Sequence, residues 1–375
     1  MKNHNSINIG FIGDVAFTGI FSKVLIENRE VFDNSVKKIL NSNDFNVINL
    51  EGPLSDGTYT KKGIKVTNPP KAAEILIQNK CNIFNLANNH ILDLGKIGLD
   101  STLNLANNVG ARAFGLNTIN QFGGKTIYIE KNNIKIALVG VLQHYSAYNE
   151  NDEIIFTNVN DDLVRKEIIT AKKNADYVVL NYHGFEEYTF LPIPYKKTLL
   201  RKYIDYGADI IIAHHPHVVQ GYEKLDDKLI FYSLGNFIFD IPQHTSRKGT
   251  DSSIILNINF TKNQIKFTPH FIDVDKNKGK LNVVKKNLST DNFQKILDYD
   301  FKQKWMKECN RLLFVDSEIP LKSNMENDNL LIKKLKYYNR LFRLMKSYYK
   351  GKEAYRPILK SALIYKLTNF KIKNN

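Results

Sequence analysis

From Ile7 to about Asp273, short β-branched and aliphatic runs alternate with stretches of helical periodicity, which restricts the chain to an α/β domain. Strands are expected at Ile7–Ile12, Val47–Leu50, Asn82–Leu86, Ile134–Val141, Tyr177–Asn181, Ile210–Ala213, Ile230–Leu234 and Ile254–Phe260. Helices are expected at Lys71–Asn79, Gly98–Val109, Asp161–Asn174 and Tyr195–Tyr206. Polar residues gather where several strands stop: Gly13-Asp14, Asn49-Leu50-Glu51, Asn88-Asn89-His90, His183 and His214-His215-Pro216-His217. Open α/β sheets bind ligands at those carboxyl ends.

A chain of 375 residues exceeds one ordinary domain, so a large domain over 1–274 and an appendage over 275–375 are expected. The segment Asp275–Thr290 is rich in Lys and Asn with little periodicity and reads as a linker or surface loop. Beyond it, Leu331, Leu335, Tyr338, Phe342, Met345 and Tyr349 form an apolar stripe on a basic helix. That helix either covers the body or lies on an anionic membrane surface as a peripheral contact. Of the formal charge of +15, residues 301–375 carry +12 and residues 1–300 only +3. No nucleic-acid motif accompanies this charge, so a nucleic-acid partner is not expected. Cys81 and Cys309 lie far apart, which supports neither a disulfide framework nor a thiolate zinc site. The polar start Met1–Ser6 leads into an apolar run too short for a signal peptide, and no stretch of about 18 apolar residues occurs. A cytoplasmic or peripherally membrane-associated protein is expected.

Five of the nine histidines, His90, His183, His214, His215 and His217, fall on strand-end loops. Neutral imidazole with carboxylate and amide oxygen suits divalent transition metals, and Asp14, Glu51, Asn89, His183, His215 and His217 form such a set. In extended chain His215 and His217 would project the same way, ~6.5 to 7 Å apart at Cα, close enough to serve neighbouring ions. His90 is a candidate for proton transfer or charge stabilisation. Taken singly, the motifs stay open: Asp14 could cap a turn, Glu51 precedes the turn-forming Gly52-Pro53, and Asn89 could cap a helix.

Together, Gly13-Asp14, Asn49-Leu50-Glu51-Gly52-Pro53-Leu54, Ala87-Asn88-Asn89-His90-Ile91-Leu92-Asp93-x-Gly95, His214-His215-Pro216-His217-Val218-x-Gln220-Gly221 and Tyr232-Ser233-Leu234-Gly235-Asn236-Phe237-x-Phe239-Asp240 resemble the capsule synthesis protein CapA, or poly-gamma-glutamate synthesis, family. That family is similar to calcineurin-like metallophosphoesterases. The resemblance implies a two-sheet αββα sandwich with a metal centre at the strand ends, followed here by a basic helical extension. It implies one or two divalent ions, with Asp14 and His217 on one, His183 and His215 on a second, and Asn89 and Glu51 contributing; the mixed nitrogen and oxygen donor set without thiolate points to Mn, Fe or Zn. It further implies that His90 assists the leaving group and that Asn49, Asn88, Glu187, Tyr188 and Asn236 serve substrate. Ala16 stands where the phosphoesterase pattern has a histidine, and Gly184-Phe185 where the family has Trp-Gly. The implied function is a metal-dependent hydrolase in capsule or cell-envelope polymer biosynthesis. The alternative is a non-catalytic accessory protein holding an acidic polymer or its precursor for a synthase complex.

Overall fold

The computed structural model describes residues 5–57, 66–118, 126–143, 154–156, 160–245 and 247–311. Two large β-sheets lie between helices. In the first sheet the strands run, edge to edge, Lys280–Val283, Ile265–Asp275, Ser252–Phe260, Ile7–Val15, Phe45–Leu50, Cys81–Asn85 and Arg112–Phe114, with Asn236–Ile238 added beside the end of Ile7–Val15. The second is ordered Tyr222–Leu225, Lys228–Phe231, Ile210–His214, Tyr177–His183, Ile134–Leu142 and Ile127–Lys131. Each has a parallel centre and antiparallel hairpins at an edge.

Parallel strands covered on both faces need apolar residues at nearly every position, which explains runs such as Ile210-Ile211-Ile212-Ala213. Ile9, Phe11 and Val47 of the first sheet meet Leu138, Val179 and Ile212 of the second in a buried inter-sheet core. On the outer face of the first sheet, Ile48 and Phe84 pack with Phe21, Leu40, Leu76 and Leu99 from the helices Ile20–Ile26, Asn34–Ser42, Lys71–Gln78 and Gly95–Asn108. The helices Asp161–Asn174 and Pro194–Asp205 pack along the second sheet and bury Val164, Ile168, Leu200 and Tyr203. Local chemistry sets where they start. The Asn160 side chain accepts from Asp162 N and Leu163 N, acidic residues fill that first turn and lysines the last, and Pro194 opens the other helix. The αββα sandwich is thus the observed architecture.

Three strands run further than expected because their last polar residues stay in the ladders: Asp14 pairs with Asn49 and Asn236, and His183 pairs with Leu142 and His214. The sheets therefore deliver these side chains on regular backbone. Gly13 permits the close approach of the strand behind Asp14, since a Cβ there would sit 2.1 Å from the Gly235 carbonyl oxygen and 2.9 Å from Ser253 Oγ. Gly13→Ala is expected to destabilise the protein by about 1–3 kcal/mol, the usual range for overpacking, and to weaken metal uptake by displacing Asp14. Thermal melts with and without chelator check this; an unchanged melting temperature would contradict the packing.

The boundary expected at residue 274 moves. Ile265–Asp275 and Lys280–Val283 form a hairpin that completes the first sheet, so Asp275–Thr290 is not a linker. Asn287 then caps the helix Leu288–Asn292 with a reciprocal bond from Thr290, and the helix Asp298–Asn310 joins the same compact unit. The amphipathic stripe Leu331 to Tyr349 lies outside the described residues. Among the described residues no helix is long and apolar enough to cross a membrane.

Candidate metal centre

The two sheets end at one place. The first strand brings Asp14; the loops after Phe45–Leu50 and Cys81–Asn85 bring Glu51 and Asn89; His183 and His214 end neighbouring strands of the second sheet. Between His214 and Val218 the backbone leaves the ladder, and His215 and His217 adopt φ of 93° and 58°. This corrects the extended geometry expected for the pair. Pro216 disfavours helical backbone at His215, and Tyr188, itself at φ 60°, donates its N–H to the Pro216 carbonyl at 2.8 Å. Left-handed backbone at non-glycine residues costs about 1–3 kcal/mol each and persists where surrounding structure enforces it, as at functional sites. The His215 and His217 rings end 5.6 Å apart, each with its own partners.

One group of donors surrounds His183. Asn49 Nδ2 can only donate, so His183 Nδ1 at 3.2 Å accepts and the neutral ring carries its proton on Nε2. That nitrogen lies 2.7 Å from Asn89 Oδ1 and 3.2 Å from His215 Nδ1. Three potential ligand atoms therefore converge on one proton, whose place a bound cation would take. Burial pushes both His183 and His215 well below the ordinary imidazole range, which keeps their lone pairs available.

The second group is Asp14, His217 and Glu51. Asp14 Oδ1 accepts from Asn49 Nδ2 at 2.9 Å and faces His214 Nδ1 at 3.1 Å, while Oδ2 has no hydrogen-bond donor within bonding geometry and lies 3.4 Å from His217 Nδ1. Burial raises the Asp14 pKa, but the attraction of His214 and His217 beside it outweighs this and holds the carboxyl well below its usual range. Glu51 is fully buried, and neither of its oxygens accepts a hydrogen bond among the described residues. Burial therefore pushes its carboxyl well above the carboxylate range, offset in part by His217. For His217, burial pushes down, but Glu51 and Asp14 prevail and raise it to about 9. A buried carboxylate without donors is costly unless a cation meets it. Potential ligand atoms of Glu51, His215 and His217, and again of Asp14, Glu51 and His183, lie within 4.8 Å of one another, so these clusters could hold a metal ion. The donor set, imidazole with carboxylate and amide oxygen, fits a divalent transition metal.

His90 stands on the rim, its side chain 13% exposed, with Nδ1 2.7 Å from Asp93 Oδ2 and Nε2 3.9 Å from Glu51 Oε1. A carboxylate only accepts, so Asp93 fixes the proton on Nδ1 and turns Nε2 toward the centre. Glu187, 45% exposed, reaches within 3.7 Å of His215 Nε2, and the Tyr188 ring lies 6.0 Å from that of His217.

Three residues expected to serve substrate are occupied elsewhere. Asn49 binds Asp14 and accepts from Asn85 at 3.0 Å; Asn88 donates to the Leu50 carbonyl at 2.8 Å and accepts from the Gly52 and His90 amides; Asn236 bridges His217 and His244. All are buried, and their amides orient the residues around them instead of facing solvent. Sequence reasoning assigned no role to His214, which braces Asp14, or to His244, whose ring lies 4.5 Å from that of His217. The tie between His214 and the first strand was readable from its place at a strand end. His244 sits in a one-turn helix, Pro242–Thr245, without a motif to mark it.

Glu51 also sets a stability signature. Its raised folded pKa means the folded state keeps this proton above the unfolded value near 4.5, so metal-free stability falls as pH rises past that value. Glu51→Gln is therefore expected to make the metal-free protein more stable than the parent by about 1–3 kcal/mol near pH 8, with the gap closing near pH 5. A metal-free Glu51→Gln protein less stable than the parent near pH 8 would show that the carboxylate has a partner within the protein.

These features define an α/β sandwich with a histidine and carboxylate centre at its strand ends. Residues 8–241, more than half the chain, match the family described as bacterial capsule synthesis protein PGA_cap, and the chain belongs to that family. It is 29% identical over 253 residues to the capsule biosynthesis protein CapA of Bacillus anthracis, covering 64% of this chain and 61% of that one. It is also 29% identical over 247 residues to the PGA biosynthesis protein CapA of Bacillus subtilis, covering 62% and 63%. A Mycobacterium tuberculosis protein named "Probable polyglutamine synthesis accessory protein" matches at 22% identity over 213 residues, covering 52% of this chain and 56% of that one. The chain thus spans less than two thirds of the length of these relatives.

Proposed function

We propose that the protein is a metal-dependent hydrolase, acting on a phosphoester or amide bond of an acidic capsule or cell-envelope polymer or its precursor. The observation that carries this reading is Glu51, a fully buried carboxyl with no hydrogen-bond donor among the described residues, within reach of His215, His217, Asp14 and His183. Asp14, Glu51 and His217 would hold one ion, and Asn89, His183 and His215 a second. Bound there, Mn, Fe or Zn would supply Lewis acidity and hydroxide near neutral pH. The side chains do the rest. Asp93 holds the Nδ1 proton of His90, so its Nε2 faces the leaving group and gives a proton there when the ring is doubly protonated. Asn49 and Asn236 lock the imidazoles on which binding depends. The names of the Bacillus relatives support the capsule setting. Elemental analysis of the purified chain, followed by phosphodiester, phosphomonoester and γ-glutamyl amide substrates with each metal, tests the proposal. Turnover that disappears with chelator and returns with one metal is expected, and no turnover on any substrate would sink it.

One observation favours an accessory role. Ala16 is buried in an apolar cluster with Val66, Phe239 and Ile241, at the position where the phosphoesterase pattern supplies a histidine. The Asp14 side of the centre thereby has one donor fewer. Tight binding of an acidic polymer without turnover under any metal would establish this second reading.

A further inference from the structure

Beyond the segment matched by the family, the chain adds three nitrogen donors to the rim of the centre. The turn that carries two of them is tightly tied: the buried Thr250 hydroxyl lies 2.9 Å from the His244 carbonyl and 3.0 Å from that of Arg247, and accepts from Lys276 Nζ at 3.1 Å. The Arg247 guanidinium stacks 4.9 Å from the centroid of the Tyr188 ring, and this ring lies 5.7 Å from that of His244 and 6.0 Å from that of His217. The arginine is thus held beside the metal centre by an aromatic face, which leaves its N–H edge for an oxyanion.

One of these donors, Arg247, lacks a counter-charge. Cations elsewhere in the fold, such as Lys197, Arg201 and Lys228, pair with carboxylates. Arg247 has no carboxylate at ion-pair distance among the described residues, whereas Lys276 is attracted by Asp240 and Asp251. His244 is 1% exposed; its Nδ1 accepts from Asn236 Nδ2 at 3.1 Å, so its proton is on Nε2, and Nε2 has no partner among the described residues. A buried donor without an acceptor beside an unpaired guanidinium is an arrangement completed by an anion from outside.

We propose that Arg247, with Lys276 and His244 behind it, forms a subsite for a second oxyanion of the substrate, a carboxylate or phosphate carried next to the group that binds at the metal centre. This deepens the hydrolase reading and rests on it only for the location of the scissile group. A polymer bearing one acidic group per repeat would meet both positions, while a neutral polymer would meet one.

Titration calorimetry on the full chain with Mn(II) tests it, using three tetrapeptides: tetraglutamate, tetraphosphoserine and uncharged tetraglutamine. At least one charged peptide is expected to bind ~10-fold or more tightly than tetraglutamine, and which one does so distinguishes carboxylate from phosphate. Arg247→Gln is expected to remove most of that preference, Lys276→Gln part of it, and Arg247→Lys to retain part, with Mn content at the parent level in all three. A charged-peptide preference that survives Arg247→Gln, equal binding of charged and neutral peptides, or no binding of any would overturn the subsite. So would loss of Mn from Arg247→Gln, which would assign the residue to the centre itself. A parent that holds no Mn yet prefers a charged peptide through Arg247 would keep the subsite and discard the hydrolase.

Discussion

Asp14→Ala and His217→Ala are each expected to lower metal affinity by more than ~100-fold, exceeding the 10- to 100-fold loss usual for groups that merely orient a ligand. The two residues lie 3.4 Å apart in a buried site where Asp14 Oδ2 accepts no hydrogen bond, so each leaves the donor set one atom short when removed. Asn49→Ala should fall within the lesser range, because it braces Asp14 and His183 without presenting an atom to the ion. Equilibrium dialysis against Mn, Fe and Zn, with far-UV circular dichroism as a check on folding, separates these cases. Folded Asp14→Ala and His217→Ala proteins with parental metal content would remove both from the site.

His90→Ala is expected to keep the metal and lose rate, by ~10² to 10⁴ in kcat on whichever substrate the parent turns over. The ring is on the rim, bonded to Asp93 at 2.7 Å, and its Nε2 is 3.9 Å from Glu51, too far to act as that carboxylate's hydrogen-bond partner. Asp93→Asn should reproduce part of the loss, since an amide no longer dictates which nitrogen carries the proton. Metal loss from His90→Ala would make the residue a ligand, and an unchanged kcat would make it a bystander.

The parallel centre of both sheets was legible because strands buried on two faces need nearly unbroken apolar runs, as in Ile134–Leu142. The pieces missed were those with weak local signals. Ile265–Asp275 is mostly half-buried and carries Pro269, and the helix Ile20–Ile26 begins at Gly19 without a side-chain cap or an acidic first turn. At the site, chemistry-bearing residues could be recognised by type and by position at strand ends, but their division of labour could not. Asn49, Asn88 and Asn236 look like substrate amides in the linear chain, and only the fold shows their groups spent on Asp14, Leu50 and the His217–His244 pair. His215 and His217 were found by type, yet for a geometric reason that the left-handed backbone replaces. His244 and Arg247 had no spacing pattern to mark them, because their relation to the centre runs through Tyr188, more than fifty residues earlier.

The buried Glu51 carboxyl is expected to face a metal ion. Anomalous diffraction from crystals of the full chain soaked in Mn(II), collected near the Mn edge, tests it most directly. A peak bounded by Glu51, Asp14 and His217 is expected, with a second, if both positions fill, bounded by Asn89, His183 and His215. A well-ordered site with no anomalous density, and with water or a protein donor against both Glu51 oxygens, would contradict it.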